Sequence, residues 1–275
     1  MIVKEKNGES FLDLRICDNL ELMAEIKDST IDLIYCDILY GTGRDFGDYK
    51  DLKPIRSEIE NHYIPRIKEM HRILKPTGSI YLQMDFRINH WMRCIMDNIF
   101  GYNMFLNELI WYYKKWSAIT NKFLSTHDNI LFYSKTDKHL FNVQYQEHSE
   151  NTLNRRKNKL TRVENGIKIE VPFNDKGVPM HDVIIGIPYL PPSCNERKRI
   201  GYKTQKPKAL IERLIKASSN EGDLVADFYA GSFTTAEVCK DLKRNFIGCD
   251  INPNCLEKAK ERGLFSFTDE PDELD

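Results

Sequence analysis

Three apolar runs in this chain end in an aspartate, and this repeated pattern constrains the fold more than any other feature. The runs are IDLIYCD, LVAD and NFIGCD, which end at Asp37, Asp227 and Asp250. Each resembles a buried strand, and a helical pattern follows each one, so we predict an α/β sandwich with a mostly parallel sheet. Ligands of such sheets bind beyond the carboxyl ends of the strands, which predicts a site between these carboxylates. The alternative for each aspartate taken alone is a turn or helix-cap residue.

The rest of the chain continues this pattern, except in one segment. SIYLQMD, NELIWYY and HDNILFYSK are predicted as strands, and INHWMRCIMDNIF and KPKALIERLIKASS as helices. A helical pattern also spans 55–74, where Pro65 predicts a kink or a new segment. Between 138 and 190 the chain is polar and rich in turn signals, which predicts an inserted segment rather than sheet core. We therefore divide the chain into 1–137 and 191–265, two halves of one domain, with 138–190 as the insertion and 266–275 as an acidic tail.

Composition favours a cytoplasmic protein with local rather than global positive charge. The longest apolar stretches fall short of the roughly 20 residues that a membrane span needs, and the N-terminus shows no apolar secretion signal. The seven cysteines form no C-x-x-C pair, so we predict reduced thiols and no metal site. The formal net charge is −1, but RRKNKLTR (155–162) and NERKRIGYKTQKPK (195–208) are strongly basic. Such runs are commonly solvated faces, and they can also bind phosphates.

The C-terminal half carries a pattern typical of nucleoside binding. A glycine loop at Gly231 separates a strand from a helix, and Asp250 ends the next strand 19 residues later. A glycine in this place lets a ligand approach the backbone, and the carboxylate can bind ribose hydroxyls. The loop lacks the G-x-G-x-x-G pattern, so a dinucleotide fits poorly. A nucleoside without phosphates, such as S-adenosylmethionine, fits better.

Several blocks of the sequence resemble motifs of the amino-methylating DNA methyltransferases. DFYAGSFTT (227–235) is similar to their cofactor motif D-P-F-x-G-S-G-T-T, and GYKTQKP, just upstream, is similar to their motif X. DILYGTG (37–43) occupies the place of the catalytic motif D-P-P-Y, and LKPTGSIYLQMD and HDNILFYSK resemble further family blocks. The catalytic block precedes the cofactor block, as in the permuted β-class order. The resemblance covers nearly the whole chain except about 138–190, where the family keeps its target-recognition segment.

The resemblance implies a Rossmann-like methyltransferase fold and methyl transfer from S-adenosylmethionine to an exocyclic amine of a flipped-out base in double-stranded DNA. Asp37 would accept the amine N–H, Ile38 would contribute a carbonyl, and Tyr40 would stack on the base. An acid at the first motif position, rather than serine, favours adenine N6 over cytosine N4. The implied cofactor residues are Asp227, Tyr229, Gly231, Ser232, Thr234, Asp250, Thr204, Gln205 and Lys206. The predicted phosphate contacts are Arg155, Arg156, Lys157, Arg197, Lys198 and Arg199.

Two departures from the family motifs leave the activity open. Ile38-Leu39 replaces two prolines, so each position loses ~0.4–1 kcal/mol of preorganisation and gains an N–H that needs a partner. Phe233 replaces a glycine, so its benzyl group either points away or fills space that the cofactor needs, and we expect weaker cofactor binding. The alternative function is therefore an attenuated or inactive methyltransferase-like protein that binds DNA or a partner. Methylation of cytosine N4 or of RNA also stays open, as do a homodimer and a cognate restriction enzyme as partners.

Overall fold

The strand that ends at Asp37 lies in the middle of a nine-stranded sheet. The protein is described by a computed structural model over residues 2–7, 10–45, 47, 50–156, 161–170 and 174–265. The chain divides into two compact units, Met1–Phe141 with Asp182–Asp275, and Asn142–His181. The large sheet belongs to the first unit, and two short two-stranded sheets belong to the second.

The elements follow one another as a mixture of long and short strands and helices. In chain order the strands are β1 (Ile2–Asn7), β2 (Ser10–Ile16), β3 (Ile31–Asp37), β4 (Leu74–Met84), β5 (Phe105–Tyr112), β6 (His127–Ser134), β7 (Tyr145–Gln146), β8 (Thr161–Glu164), β9 (Ile167–Glu170), β10 (Val178–Pro179), β11 (Val183–Ile184), β12 (Leu224–Asp227) and β13 (Asn245–Asp250). The helices are α1 (Asn19–Glu25), α2 (Arg56–Ile73), α3 (Asn89–Phe100), α4 (Glu150–Arg156), α5 (Asn195–Ile200), α6 (Lys208–Ser218), α7 (Thr234–Asp241) and α8 (Cys255–Glu261).

Strand direction brings distant parts of the chain to one edge of the sheet. The strand order is β1-β2-β13-β12-β3-β4-β6-β5-β11, and β2, β13, β12, β3 and β4 run parallel to one another. β6 runs antiparallel to both β4 and β5. The amino end of β6 therefore lies at the same edge as the carboxyl ends of β3, β12 and β13. The predicted α/β sandwich with a mostly parallel sheet is confirmed.

Both faces of the sheet are buried, which explains why its central strands are continuously apolar. Along β3, Leu33 and Tyr35 pack in the core cluster that contains the buried residues of α6 and α7. Ile34 and Cys36 pack in the opposite cluster, with the buried residues of α2 and α3. Successive side chains of a strand point to opposite faces, so a strand between two helical layers needs apolar residues at every position.

Helix α2 continues through Pro65, where the sequence predicts a kink or a new segment. A proline in a helix interior removes one hydrogen bond and is unfavourable there. The buried residues Ile59, Tyr63, Ile67 and Met70 recur every three or four positions on both sides of it, so they form one apolar face. Burial of this face outweighs the local cost of the proline.

The second unit is narrower than the insertion predicted at 138–190. β11 pairs in parallel with β5 in the large sheet, and Ile184 is buried there. Two residues are too short to show a period, so the sequence pattern does not identify this strand. β2 is also missed, because its buried Asp13 and Arg15 interrupt the apolar run and pair with each other at 2.8 Å.

None of the helices in the described ranges combines the length and the apolar character needed to cross a membrane. The acidic tail predicted at 266–275 lies outside the described residues.

Candidate active site

All three strand-end aspartates line one cleft at the carboxyl edge of the large sheet. The turn after β3, the loop after β12 and the segment between α5 and α6 form most of its wall. The start of α1 also contributes to the wall, as does α2, which contributes His62 and Arg66. The three aspartates that the strand pattern predicts at one edge therefore lie in one cleft, and their roles in binding and catalysis stay a prediction.

Asp37 is a half-buried acid, with 21% of its side-chain surface exposed, and it is paired with a cation. Its Oδ2 accepts a hydrogen bond from Lys206 Nζ at 2.5 Å, and its Oδ1 accepts one from the Tyr40 hydroxyl at 2.9 Å. Burial raises the pKa of Asp37, while the neighbouring Lys206 ammonium acts in the opposite direction. The Lys206 ammonium also lies 5.0 Å from the centre of the Tyr40 ring. Lys206, predicted as a cofactor residue, thus contacts the acid and the ring of the catalytic motif.

The Tyr40 hydroxyl lies between two carboxylates. It is 2.9 Å from Asp37 Oδ1 and 2.6 Å from Asp128 Oδ2. A hydroxyl has a single proton, so it donates fully to only one of them, and the shorter contact is with Asp128. Asp128 also accepts hydrogen bonds from Gln83 Nε2 at 2.9 Å and from the Tyr113 hydroxyl at 3.1 Å. Asp128 therefore anchors the Tyr40 ring beside Asp37.

The two residues that replace the family prolines are built into the surrounding structure. The Ile38 N–H donates to the Gln83 carbonyl at 3.1 Å, which extends the contact between β3 and β4 by one residue. The Leu39 carbonyl accepts a hydrogen bond from the Tyr63 hydroxyl at 3.1 Å. The Ile38 side chain is buried. One of the two additional N–H groups thus has a backbone partner.

Asp227 shapes the loop that follows β12. One of its oxygens accepts the Tyr229 N–H at 3.0 Å, and the other accepts the Thr235 hydroxyl at 2.6 Å. Burial raises the pKa of Asp227 to about 7, although both hydrogen bonds act in the opposite direction. The carboxyl group therefore connects the start of the loop to the first turn of α7.

Asp250 holds the same loop from the neighbouring strand. Its Oδ2 accepts the Gly231 N–H at 2.8 Å, and its Oδ1 accepts the Asn252 N–H at 2.9 Å. Gly231 has a φ of +51°, and a Cβ on it would lie 3.2 Å from the Tyr202 ring. Both the conformation and the tight space favour glycine here. Asp250 is thus a loop anchor whose carboxylate also faces the cleft.

Phe233 does not crowd the cleft: of the two alternatives for its benzyl group, the structure shows the one in which it points away. Its side chain is fully buried and packs edge-on against Phe246, with ring centres 6.2 Å apart. The side chain belongs to the core cluster and does not contribute to the cleft wall. Phe233 has a φ of +55°, a left-handed conformation that costs free energy for any residue other than glycine. The replacement of the family glycine therefore strains the backbone at this position. Phe233 is the residue directly before α7, and its side chain points into the core, where it meets Phe246 of β13.

Five further residues predicted for the cofactor line the cleft: Thr204, Gln205, Tyr229, Ser232 and Thr234. The hydroxyls of Ser232 and Thr234 each accept a hydrogen bond from Arg262 at 2.8 Å. Gln205 is buried, and its Oε1 has no hydrogen-bond partner among the described residues. A buried acceptor without a partner costs free energy, so this atom is suited to a ligand donor.

Comparison with known proteins identifies the family. The DNA methylase family model, for N6 and N4 methyltransferases, matches residues 31–261. The chain belongs to this family. It is similar to the type II methyltransferase M.HpaI of Haemophilus parainfluenzae, with 34% identity over 250 residues, or 90% of this chain and 73% of the relative. It is also similar to the DNA adenine methyltransferase YhdJ of Escherichia coli strain K12, with 29% identity over 257 residues, or 89% of this chain and 80% of the relative.

Solved structures of DNA methylases share the fold. The PvuII DNA methyltransferase, which is cytosine-N4-specific, superposes with a TM-score of 0.65 over 96% of this chain and 88% of its own, at 14% identity. The complex of M1.HpyAVI with S-adenosylmethionine gives a TM-score of 0.60 over 92% of this chain and 100% of its own, at 20% identity. The family and fold that the motifs predict are therefore confirmed.

The basic cluster of α5 lies outside the cleft of this DNA methylase. Arg199 forms an ion pair with Glu237 at 2.6 Å, and Arg197 donates to the Leu190 carbonyl at 3.1 Å. Both guanidinium groups therefore have partners within the protein, although Arg199, like Lys198, is exposed. Their predicted contacts with phosphates stay a prediction.

The second basic cluster belongs to the smaller unit. Arg155 and Arg156 are the last residues of α4, and Lys157 lies outside the described residues. Phosphate contacts by these residues also stay a prediction.

Asp128 is the candidate that sequence reasoning missed. It is the second residue of β6, and it reaches Tyr40 in the cleft wall from behind because β6 runs antiparallel to the strands beside it. A search restricted to the carboxyl ends of strands cannot find it. The available signal is the polar triplet His127-Asp128-Asn129 directly before the apolar run ILFY.

Proposed function

We propose that this chain transfers a methyl group from S-adenosylmethionine to the N6 amine of adenine in a base flipped out of double-stranded DNA. The observation that carries the proposal is the shared cleft, in which Asp37 and Tyr40 face the same space as the glycine loop at Gly231. The family supports transfer to an amine, and the geometry supports a half-buried carboxylate acceptor, Asp37, next to a nucleoside site.

The residues of the cleft fit S-adenosylmethionine. Its lining carries more carboxylates than cationic groups, which suits a ligand with a sulfonium and an ammonium. Asp250 would hold the ribose hydroxyls, Gly231 would let the ligand approach the backbone, and the free Gln205 Oε1 would accept a donor N–H. When bound, the cofactor supplies an electrophilic methyl group. The prediction of this cofactor agrees with the bound cofactor of the M1.HpyAVI structure.

The residues of the β3 turn would activate the amine. The lone pair of an adenine amine is delocalised into the ring, so the nitrogen is a poor nucleophile until its N–H groups are bound by acceptors. Asp37 would accept one N–H at Oδ1 in place of the Tyr40 hydroxyl, and the Ile38 carbonyl would accept the other. Asp128 would retain the hydroxyl, which leaves the Tyr40 ring in position to stack on the base. As the nitrogen gains the methyl group it loses a proton, and Asp37 is the nearest base in this arrangement.

Adenine is the proposed target because an acid, rather than serine, stands at the first motif position. YhdJ is named as an adenine methyltransferase, and the PvuII enzyme is cytosine-N4-specific, so the fold accommodates both targets.

Nucleoside analysis tests both the activity and the target. The purified chain would be incubated with S-adenosylmethionine and DNA from a host without adenine or cytosine methylases. Digestion to nucleosides followed by mass spectrometry should show N6-methyladenosine in its deoxy form. Asp37→Asn, whose side chain cannot take up the proton, is the matched control.

Each other outcome identifies an alternative. N4-methyl-deoxycytidine would replace adenine by cytosine as the target. No product from a chain that binds the cofactor and DNA would favour the non-catalytic alternative. Methylation of RNA but not of DNA under matched conditions would reassign the substrate.

A further inference from the structure

The segment 113–126 connects β5 to β6 at the edge of the sheet that carries the cleft. β5 and β6 are antiparallel neighbours, so this connection leaves the sheet beside the carboxyl ends of the parallel strands. The Tyr113 N–H donates to the Thr126 carbonyl at 2.9 Å, which closes the base of the loop. We call residues 113–126 the edge loop.

Two large aromatic side chains of the edge loop are almost fully in solvent. Trp116 is 87% exposed and Phe123 is 98% exposed. Such rings are normally buried, and exposed ones indicate an interaction surface. The loop also contains Lys114, Lys115 and Lys122 and no acidic residue. All three lysines are exposed, so the surface combines aromatic rings with positive charge only.

The base of the edge loop is tied to the catalytic turn. The Tyr113 hydroxyl donates to Asp128 Oδ1 at 3.1 Å, and the other oxygen of Asp128 lies 2.6 Å from the Tyr40 hydroxyl. A single carboxylate therefore links the first residue of the loop to the ring proposed to stack on the target base. This link fixes one end of the loop beside the site.

We propose that the edge loop is a DNA-contact element, in which Trp116 and Phe123 stack on bases next to the displaced nucleotide and the three lysines bind phosphates. The inference rests on the proposed function insofar as it takes DNA as the substrate of the cleft.

The chemistry of a flipped-out base favours this partner. A nucleotide that leaves the stack exposes the faces of its neighbours, and aromatic side chains can cover such faces. Stacking of this kind tolerates any base, because every base has a π-face. Lysines around the rings add attraction to the backbone that depends on salt but not on sequence. The edge loop offers both features at the same edge as the acid.

A binding assay with defined duplexes tests the stacking role. The full chain is titrated into a fluorescein-labelled duplex and into the same duplex with one abasic site, where unstacked faces are already present. We expect the wild type to prefer the abasic duplex. The double variant Trp116→Ala/Phe123→Ala should weaken binding to it about fivefold or more and remove the preference.

Tyr102→Ala is the matched control for loss of an exposed ring. Tyr102 is 72% exposed and begins the short 3-10 turn Tyr102–Met104 that precedes β5, at the opposite edge of the sheet. Its variant should bind both duplexes like the wild type. Because all three rings are exposed, thermal unfolding should be unchanged in both variants.

The lysines are tested by the dependence of binding on salt. Lys114→Gln/Lys115→Gln/Lys122→Gln should lower the magnitude of the slope of log K against log salt by about 2–3, since each phosphate contact contributes about 0.9. An unchanged slope would overturn the phosphate contacts.

Two results would overturn the stacking role. One is an unchanged affinity of the double aromatic variant for the abasic duplex. The other is a lower molecular mass of the double aromatic variant than of the wild type on light scattering, without a change in DNA affinity. That result would show that a second copy of the chain covers the rings.

The methylation assay separates this inference from the proposed function. If the wild type transfers no methyl group but its DNA binding still depends on the two rings, the proposed activity is wrong and the role of the edge loop stands. If the double aromatic variant is active and binds DNA with normal affinity, the role of the edge loop is wrong and the proposed activity stands.

Discussion

The turn after β3 and the loop after β12 both depart from the family motif, and the fold accommodates the two departures in different ways. At the β3 turn, Ile38 stands in place of proline and its additional N–H is bonded to the Gln83 carbonyl. In the β12 loop, Phe233 stands in place of glycine and its ring is buried against Phe246. The first departure is accommodated by the backbone, and the second by side-chain packing.

This difference shows how a motif can change without losing its cleft. The Phe233 ring lies in the core and not in the cleft wall, and the Ile38 N–H adds a strand contact beside Asp37. The two regions should therefore respond differently to mutation. Changes in the β3 turn should alter chemistry, and changes in the β12 loop should alter stability or cofactor affinity.

The largest effect is expected at the acid of the β3 turn. Asp37→Asn keeps the shape of the side chain but cannot take up a proton, so the methylation rate should fall about 100- to 10,000-fold, or roughly 3–5 kcal/mol in the barrier. Single-turnover assays would measure the rate, and calorimetry would measure the affinity for S-adenosylmethionine. We expect the cofactor affinity to change little. Loss of both in equal proportion, together with a lower melting temperature, would make Asp37 a structural residue of the turn.

Phe233 should affect stability rather than the cofactor. Removing its ring leaves a cavity in the core, so Phe233→Ala should lower the free energy of unfolding by about 3–5 kcal/mol. Phe233→Gly removes the same ring but relieves the cost of a positive φ, so it should be about 1 kcal/mol more stable than the alanine variant. In a helix glycine is usually less stabilising than alanine, so the order expected here, with the glycine variant more stable, is the reverse of the usual one. Urea unfolding of both variants measures it, and tighter cofactor binding by Phe233→Gly would restore the crowding hypothesis.

Asp227 should make the stability of the β12 loop depend on pH. Its pKa is about 7 in the folded protein, above the ordinary value of an aspartate, because burial disfavours the charged form. The folded state therefore binds more protons between about pH 4 and 7, and stability should fall as the pH rises through this range. At 1.36 kcal/mol per pKa unit the difference is on the order of 4 kcal/mol at most. Urea unfolding from pH 5 to 8 should show a smaller decline in Asp227→Asn than in the wild type, and parallel curves would exclude this role.

The sequence predicts the parts of the cleft that are carried by local patterns. A strand that ends in an acid is visible in seven residues, so Asp37 and Asp250 can be placed without coordinates. The position of Lys206 on Asp37 depends on the packing of segments 169 residues apart, and no local pattern encodes it. The direction of the Phe233 ring depends on the core behind the loop and is equally invisible. Asp128 is missed because its strand runs the other way.

Asp250 should affect cofactor binding more than stability. Its carboxylate faces the cleft, so Asp250→Asn should weaken S-adenosylmethionine binding by about 1.5–3 kcal/mol, or roughly ten- to hundredfold, through loss of a charge-assisted hydrogen bond. Asn Oδ1 can still accept one of the two backbone N–H groups that hold the loop. Calorimetry measures the affinity. An unchanged affinity would show that Asp250 only anchors the loop.

The smallest effect separates the two residues that replace the family prolines. Ile38→Pro removes the N–H that is bonded to the Gln83 carbonyl, and a lost hydrogen bond with an unpaired partner costs about 1–3 kcal/mol. The N–H of Leu39 makes no backbone hydrogen bond to another described residue, so Leu39→Pro loses no such contact. Proline at 39 also favours an extended conformation at Ile38, which already continues β3. We therefore expect Leu39→Pro to stabilise the turn by up to about 1 kcal/mol and to raise the methylation rate slightly.

The double proline variant then decides how the turn has adapted. If the two substitutions act independently, their effects on the free energy of unfolding should add, and the loss at Ile38 should dominate. Urea unfolding of both single variants and the double variant measures this, and methylation rates show whether the turn is better placed for chemistry. If the double variant is more stable and methylates faster than the wild type, the hydrogen bond from Ile38 to Gln83 does not contribute to stability. The two prolines of the family motif would then hold the turn better than Ile38 and Leu39 do. A slower, less stable double variant beside a faster Leu39→Pro would show that the hydrogen bond of Ile38 has taken over the role of a proline in holding Asp37 and Tyr40.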